Sequence, residues 1–189
     1  MRSLVVVLLV TLSASGVGQQ RSGLLGTSTE DKVLKSLPRT ILDSDLKAAL
    51  GGSFRLSDYS GDVLVVNLWA SWCAPCRVQV ASLVKMQEQL RAQGVKVIVL
   101  STENPDRSAE GVLDSIREYE VNYQFGWAPS EVSATLMQGR DAIPQTLVIS
   151  RSGLIVKRFV GFNPKDTPPQ LELAIQEALN DKGGFPEQH

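Results

Sequence analysis

This chain of 189 residues is poor in the side chains that hold metals and move protons near neutral pH. Its single histidine is His189 at the very C-terminus, and it has only two cysteines. A closed structural zinc site takes about four nitrogen or sulfur ligands, so a single-chain site of that kind is close to excluded. A terminal histidine is also badly placed to be the base of a Cys-His hydrolase. No methionine or histidine stands near the cysteines in sequence to complete a copper site. There is no run of Lys or Arg, and a net charge of −1 leaves no electrostatic footprint for nucleic acid. No internal repeat is apparent. The apolar run near the N-terminus is short of the roughly 20 residues that span a bilayer.

What is present is concentrated in Trp72-Cys73-Ala74-Pro75-Cys76, which holds both cysteines directly after the apolar run Val63–Ala70. A buried strand that feeds a Cys-x-x-Cys pair onto the start of a helix puts both sulfurs on one helical face, where they can close a disulfide or open to a dithiol. The first turn of a helix favours an anion through its unpaired N–H groups and the macrodipole. Cys73 occupies that turn with Arg77 one turn on, so its pKa should fall below that of a free thiol, toward the range of about 3.5 to 7.5 known for such nucleophiles. Cys76, one turn deeper, is the candidate resolving thiol. Pro75 has no N–H to leave unpaired and is tolerated there. A purely structural disulfide is the competing reading, although a loop this short stabilises little.

Residues 1–18 carry a charge at Arg2, an apolar core from Leu4 to Leu12 and a small polar run from Ser13, in the order of a secretory signal peptide. An uncleaved anchor is the alternative, since no Ala-x-Ala triplet marks a cut. No cysteine follows the run, which argues against a lipidated end. Either way the domain is exported, to the periplasm or an equivalent extracytoplasmic space, where a cysteine pair needs redox management. Residues 19–36 read as a flexible lead-in, 37–182 as one domain, and 183–189 as a disordered tail.

Within that domain the pattern alternates. Gly51-Gly52 before Ser53-Phe54 predicts a turn and a short strand. Val63–Ala70 and Val95–Leu100 are continuous apolar strands suited to burial on both faces. Val80, Leu83, Val84 and Leu90 carry helical spacing up to Gly94, and Ala109, Val112, Leu113 and Ile116 carry it again. A short strand at Asn122–Gly126 and a short helix at Ser130–Met137 follow. Strands at Thr146–Ser150 and Leu154–Val160 flank the turn Arg151-Ser152-Gly153, and a last helix runs from about Pro168 toward Gly183. This order calls for an α/β architecture with a central mixed sheet and helices on both faces.

Trp69-Ala70-Ser71-Trp72-Cys73-Ala74-Pro75-Cys76 resembles the active-site segment of the thioredoxin superfamily, and Ile143-Pro144-Gln145-Thr146 resembles its cis-proline loop. The long stretch between them, the export signal and the lead-in Leu56–Gly61 are similar to the TlpA/ResA branch of bacterial thiol-disulfide oxidoreductases. The resemblance implies a three-layer sandwich with an extra β-α insertion and an N-terminal hairpin. It implies Cys73 as attacking thiol, Cys76 as resolving thiol, Trp72 as a shield for the sulfurs, and a cis Ile143-Pro144 bond offering the Ile143 backbone to an extended substrate. X-Pro bonds alone reach cis at about 0.5–1 kcal/mol, while a trans proline opening an edge strand is the competing reading. Trp69 reads as core.

Two positions depart from the pattern. Asn67 stands where thioredoxins keep a buried Asp, and Gln79 where this branch often has a Glu. Neither amide can take a proton near pH 7, so loss of the Cys76 proton would rely on water or on Cys73; both amides serve equally well as passive packing residues. The resemblance further implies disulfide-containing protein substrates, a membrane electron donor of the DsbD/CcdA type, no cofactor and no metal. A peroxiredoxin-like peroxidase, whose nucleophile usually sits in a Thr-x-x-Cys context, and a copper-delivering module are the alternatives on this fold.

Overall fold

The computed structural model describes residues 36–183 and 185. The expected signal peptide and nearly all of the lead-in lie outside the described residues. A short helix α1 (Arg39–Leu42) leads to strands β1 (Leu46–Ala48) and β2 (Ser53–Phe54), then a 3-10 turn at Leu56–Tyr59. Strand β3 (Val63–Trp69), helix α2 (Ala74–Leu90), strand β4 (Val95–Ser101), helix α3 (Pro105–Glu118), strand β5 (Gln124–Trp127) and helix α4 (Ser130–Met137) follow. Strands β6 (Gln145–Ile149) and β7 (Ile155–Val160) and helix α5 (Thr167–Leu179) complete the chain.

The seven strands form one sheet in the order β2-β1-β5-β4-β3-β6-β7. β3, β4 and β5 are parallel, and the remaining pairings are antiparallel. The expected mixed sheet is thus observed, with a strand and a helix more than a single α-β-α connection between β3 and β6, and with β1–β2 as an N-terminal hairpin. That hairpin turns on Gly51 and Gly52, at φ 102° and 78°, values that glycine adopts without a Cβ penalty.

β3 shows why the sheet sits where it does. Its side chains alternate between two cores: Val63, Val65 and Trp69 enter one cluster, while Leu64, Val66 and Leu68 enter the other. The first cluster is covered by Val80 and Leu83 of α2, Val112 of α3 and Leu171, Ala174, Ile175 and Ala178 of α5. The second is covered by Ile41 and Leu42 of α1 and by Val132 and Leu136 of α4. A strand buried on both faces has to be apolar in consecutive positions, and only Asn67 breaks that run.

Helix α2 starts at Ala74, where the Cys-x-x-Cys motif places it, and α3 starts at Pro105, ahead of its apolar stripe; a cap and a first-turn proline set each start. Asn104 accepts a hydrogen bond from the Asp106 N–H at 2.8 Å ahead of Pro105, and Cys73 does the same service for α2. The pole opposite that cap is bolted by the 150–153 turn. The Arg151 guanidinium donates to the carbonyls of Gly61, Gln93, Leu179 and Asp181. The Asp181 carboxylate accepts from Ser150, Ser152 and Gly183, which hold it well below the usual carboxylate range. Phe185, inside the segment expected to be a tail, is buried against Gly153. At the outer edge, β7 carries Lys157, whose ammonium lies 5.2 Å from the Phe159 ring centre, and Arg158.

Gly126 in β5 is the point where the hairpin docks. A Cβ there would lie 2.5 Å from the Lys47 carbonyl oxygen and 2.8 Å from the Phe54 ring. We expect Gly126→Ala to lower stability by about 1–3 kcal/mol through this overlap, read as a lower urea midpoint with an unchanged slope.

Candidate active site

The turn that ends β3 is closed by the Cys73 N–H donating to the Ala70 carbonyl at 3.1 Å. Cys73 is the N-cap of α2, in an extended conformation, and its sulfur accepts from the Cys76 backbone N–H at 3.3 Å. Pro75, in the first turn of α2, has no N–H of its own to satisfy. The two sulfurs are joined in a disulfide of 2.05 Å with the Cα atoms 5.2 Å apart. Cys73 keeps 4% exposure and Cys76 none, so Cys73 is the outer of the two.

Across from the pair, the Ile143-Pro144 peptide is cis. Cys73 Sγ lies 3.7 Å from the Ile143 carbonyl oxygen. Pro144 precedes β6, which is paired on both sides by β3 and β7, so it does not open an edge strand. Trp72, expected to shield the sulfurs, is 70% exposed and presents most of its indole to solvent. Trp69 is buried, with its ring edge-on to Phe125 at 5.2 Å.

Asn67 and Gln79 meet on the α2 face of the sheet. Asn67 Nδ2 donates to Gln79 Oε1 at 3.0 Å and to Thr146 Oγ1 at 2.9 Å, and Gln79 Nε2 donates to the same hydroxyl at 2.9 Å. Gln79 stands one helical turn beyond Cys76 on the same side of α2. All three residues are at most 1% exposed. This cluster ties β3, α2 and β6 together with neutral groups only, so it has no proton to give or take near pH 7. Asn67 Oδ1 has no partner among the described residues.

Four contributors were not singled out from sequence. Thr146 accepts both amide donors. Gln145, fully buried, donates from Nε2 to the carbonyls of Arg140 and Ala142 at 2.8 and 2.9 Å and thereby holds the loop ahead of Pro144. Arg158 orients Gln145 by donating to its Oε1 at 2.8 Å. Glu103 accepts from the N–H and the hydroxyl of Ser71, two residues before Cys73. A signal for the first two is visible in hindsight: Gln145-Thr146 are polar residues opening an otherwise apolar strand. The contacts of Arg158 and Glu103 span 13 and 32 positions and leave no local trace.

No group of three or more His, Cys, Asp or Glu among the described residues could hold a metal. The groove lined by Leu90, Pro169, Leu173 and Gln176, about 460 Å³ in volume, lies between α2 and α5 at the end of α2 remote from the sulfurs.

Residues 38–158 match the AhpC/TSA family. The chain is similar to the thiol-disulfide oxidoreductase ResA of Bacillus cereus, 22% identical over 174 residues covering 92% of this chain and 93% of that protein. It is similar to the thiol:disulfide interchange protein HelX of Rhodobacter capsulatus, 30% identical over 101 residues, 53% of each chain. A crystal structure from Chlorobium tepidum, described as a thiol:disulfide interchange protein DsbE, superposes with a TM-score of 0.66 at 27% identity over 77% of this chain and 96% of that one. Xanthomonas campestris peroxiredoxin Q superposes at 0.63 with 14% identity over 78% and 98%, a likeness of fold alone. The fold is thioredoxin-like.

Thr146→Val removes the acceptor shared by two buried amide groups while nearly keeping volume. Leaving buried donors unpaired costs about 1–3 kcal/mol each. We expect a loss in that range or above in equilibrium unfolding with the disulfide intact.

Proposed function

The chain belongs to the AhpC/TSA family, and within it we propose that it is a thiol-disulfide oxidoreductase that reduces protein disulfides in the cell envelope through a Cys73/Cys76 cycle. The observation that carries this reading is the placement of the outer sulfur: Cys73 is the N-cap of α2, next to the backbone of Ile143 in the cis-proline loop, with its partner sulfur buried behind it.

In the reduced protein the Cys73 thiolate attacks a substrate disulfide, forming a mixed disulfide and releasing one substrate thiolate. Cys76, as a thiolate, then attacks the Cys73 sulfur and releases the second substrate thiolate. The substrate gains two electrons, and the enzyme is left with the disulfide seen here. The two protons lost by the enzyme thiols end on the two product thiols. Asn67 and Gln79 cannot carry the proton of Cys76, so it leaves through water or through Cys73 itself. The Ile143 backbone, beside the attacked sulfur, offers an extended substrate segment a main-chain partner. Exposed Trp72 supplies apolar contact at the same place.

Direction follows from the company of the sulfurs. Ala74-Pro75 places no histidine beside Cys73 to stabilise the thiolate, which suits a reductase recharged by a membrane electron donor of the DsbD/CcdA type. No helix among the described residues is long and apolar enough to cross a membrane; export or anchoring through residues 1–18 is part of the reading proposed here. The AhpC/TSA family match leaves a peroxiredoxin-like peroxidase as the second reading. Hydrogen peroxide turnover with a thiol recycling system separates the two: rapid peroxide-dependent turnover would replace the reductase reading.

Two variants test the cycle. Cys76→Ser, expressed in its native envelope, is expected to accumulate mixed disulfides through Cys73 with disulfide-containing proteins. Absence of any adduct while Cys73 still reacts with a small alkylating agent counts against the reading. Gln79→Glu supplies a base one turn from Cys76, and general bases contribute about 100-fold or more when well placed. Its rate of peptide-disulfide reduction is expected to show an ionisation that the parent lacks and to rise severalfold above it; a profile identical to the parent refutes the proposed proton route.

A further inference from the structure

The turn Ala70-Ser71-Trp72 is gripped by two opposite charges that the exchange cycle does not use. Glu103, two residues past the end of β4, accepts from the Ser71 backbone N–H at 2.7 Å and from Ser71 Oγ at 2.8 Å. Its own position is fixed by Ser101, whose hydroxyl donates to the carboxylate and accepts from the Glu103 N–H, both at 3.2 Å. From the other side, Arg77 Nη1 donates to the Ser71 carbonyl at 2.8 Å. The turn also has a wall: a Cβ on Gly111 of α3 would lie 3.3 Å from the Ser71 Cβ. Every polar group of Ser71 is therefore held, two residues ahead of Cys73.

The residue type matters for this grip. Only a carboxylate offers two acceptor oxygens to two donors at once, whereas an amide offers one. A fixed negative charge near a thiol also opposes its ionisation, and a fixed positive charge favours it. Arg77 and Glu103 thus act on Cys73 with opposite sign from the same turn. Among the described residues, Tyr119 at the C-cap of α3 lies within electrostatic reach of Arg77, and Arg140 and Asp141 precede the cis-proline loop in sequence.

Building on the redox reading, we propose that Glu103 is a positioning residue that locks the Ser71 turn and, against Arg77, restrains ionisation of the Cys73 thiol. It would keep the pair reducing by denying extra stability to the thiolate form.

The test uses the reduced full chain, with iodoacetamide alkylation of Cys73 followed against pH and the dithiol-disulfide equilibrium measured against glutathione. Glu103→Gln keeps the shape and one acceptor but loses the charge. Its alkylation midpoint is expected to fall by about 0.5 to 1 pH unit, and its glutathione equilibrium to move toward the dithiol by roughly 3- to 10-fold. Glu103→Asp keeps the charge and shortens the reach. Its midpoint is expected to stay with the parent while exchange slows at least about threefold, because the turn loosens. A Glu103→Gln midpoint equal to the parent's overturns the electrostatic role, and unslowed exchange in Glu103→Asp overturns the positioning role. Should Glu103→Gln fail to fold by circular dichroism, the Glu103→Asp arm decides. A parent chain that never equilibrates with glutathione sinks the redox reading itself, whereas the alkylation midpoints still judge Glu103.

Discussion

The helix that carries both sulfurs has no side-chain oxygen at its N-cap; the Cys73 sulfur takes that place by accepting the Cys76 N–H. This hydrogen bond makes the start of α2 and the redox centre a single feature. β3 is buried along its whole length, so the core fixes where the strand ends, and the sulfur fixes where the helix begins. A thiolate is a stronger acceptor than a disulfide sulfur. The same cap is thus better matched to a thiolate than to a disulfide sulfur.

Beneath the cap lies an underlayer without charge. Burying a carboxylate under Cys76 would carry a desolvation cost and in return supply an internal base. Asn67, Gln79 and Thr146 forgo the base and keep the joint: α2 is tied to β3 and β6 by donors and acceptors that do not titrate. Charge is instead placed at the rim, where Glu103 and Arg77 hold the Ser71 turn from opposite ends. Interior packing and exterior electrostatics are thus separated around one pair of sulfurs.

The architecture was legible in the sequence because β3 and β4 are continuous apolar runs and the helices repeat at 3.6, patterns that reflect burial directly. Ser130–Met137 falls where expected. The start of α2 falls where the Cys-x-x-Cys motif places it, with Cys73 as its cap, while α3 begins at Pro105, ahead of its first apolar position, because the Asn104 cap sets it. β5 begins at Gln124, where pairing with Ile98 starts, later than its composition indicated. At the site, Cys73, Cys76, Asn67, Gln79, Ile143 and Pro144 could be picked out because motif spacing or chain position marks them. Glu103 and Arg158 could not, since each acts on a segment distant in sequence and its residue type alone reads as a solvated charge. The exposure of Trp72 was equally invisible, as no pattern in the chain records which way a turn residue points.

The outermost strands of the sheet, β7 and β2, are built against pairing with other chains. Among the described residues β7 is paired by β6 on one side, with Ser36 bridged to Leu154 just ahead of it, and an unpaired strand margin is how sheets recruit foreign strands into aggregates. Lys157 and Arg158 interrupt that margin with cations in mid-strand, and the opposite margin, β2, is only two residues long. Both borders of the sheet are thereby blunted against pairing with another chain, one by charge in mid-strand and the other by brevity.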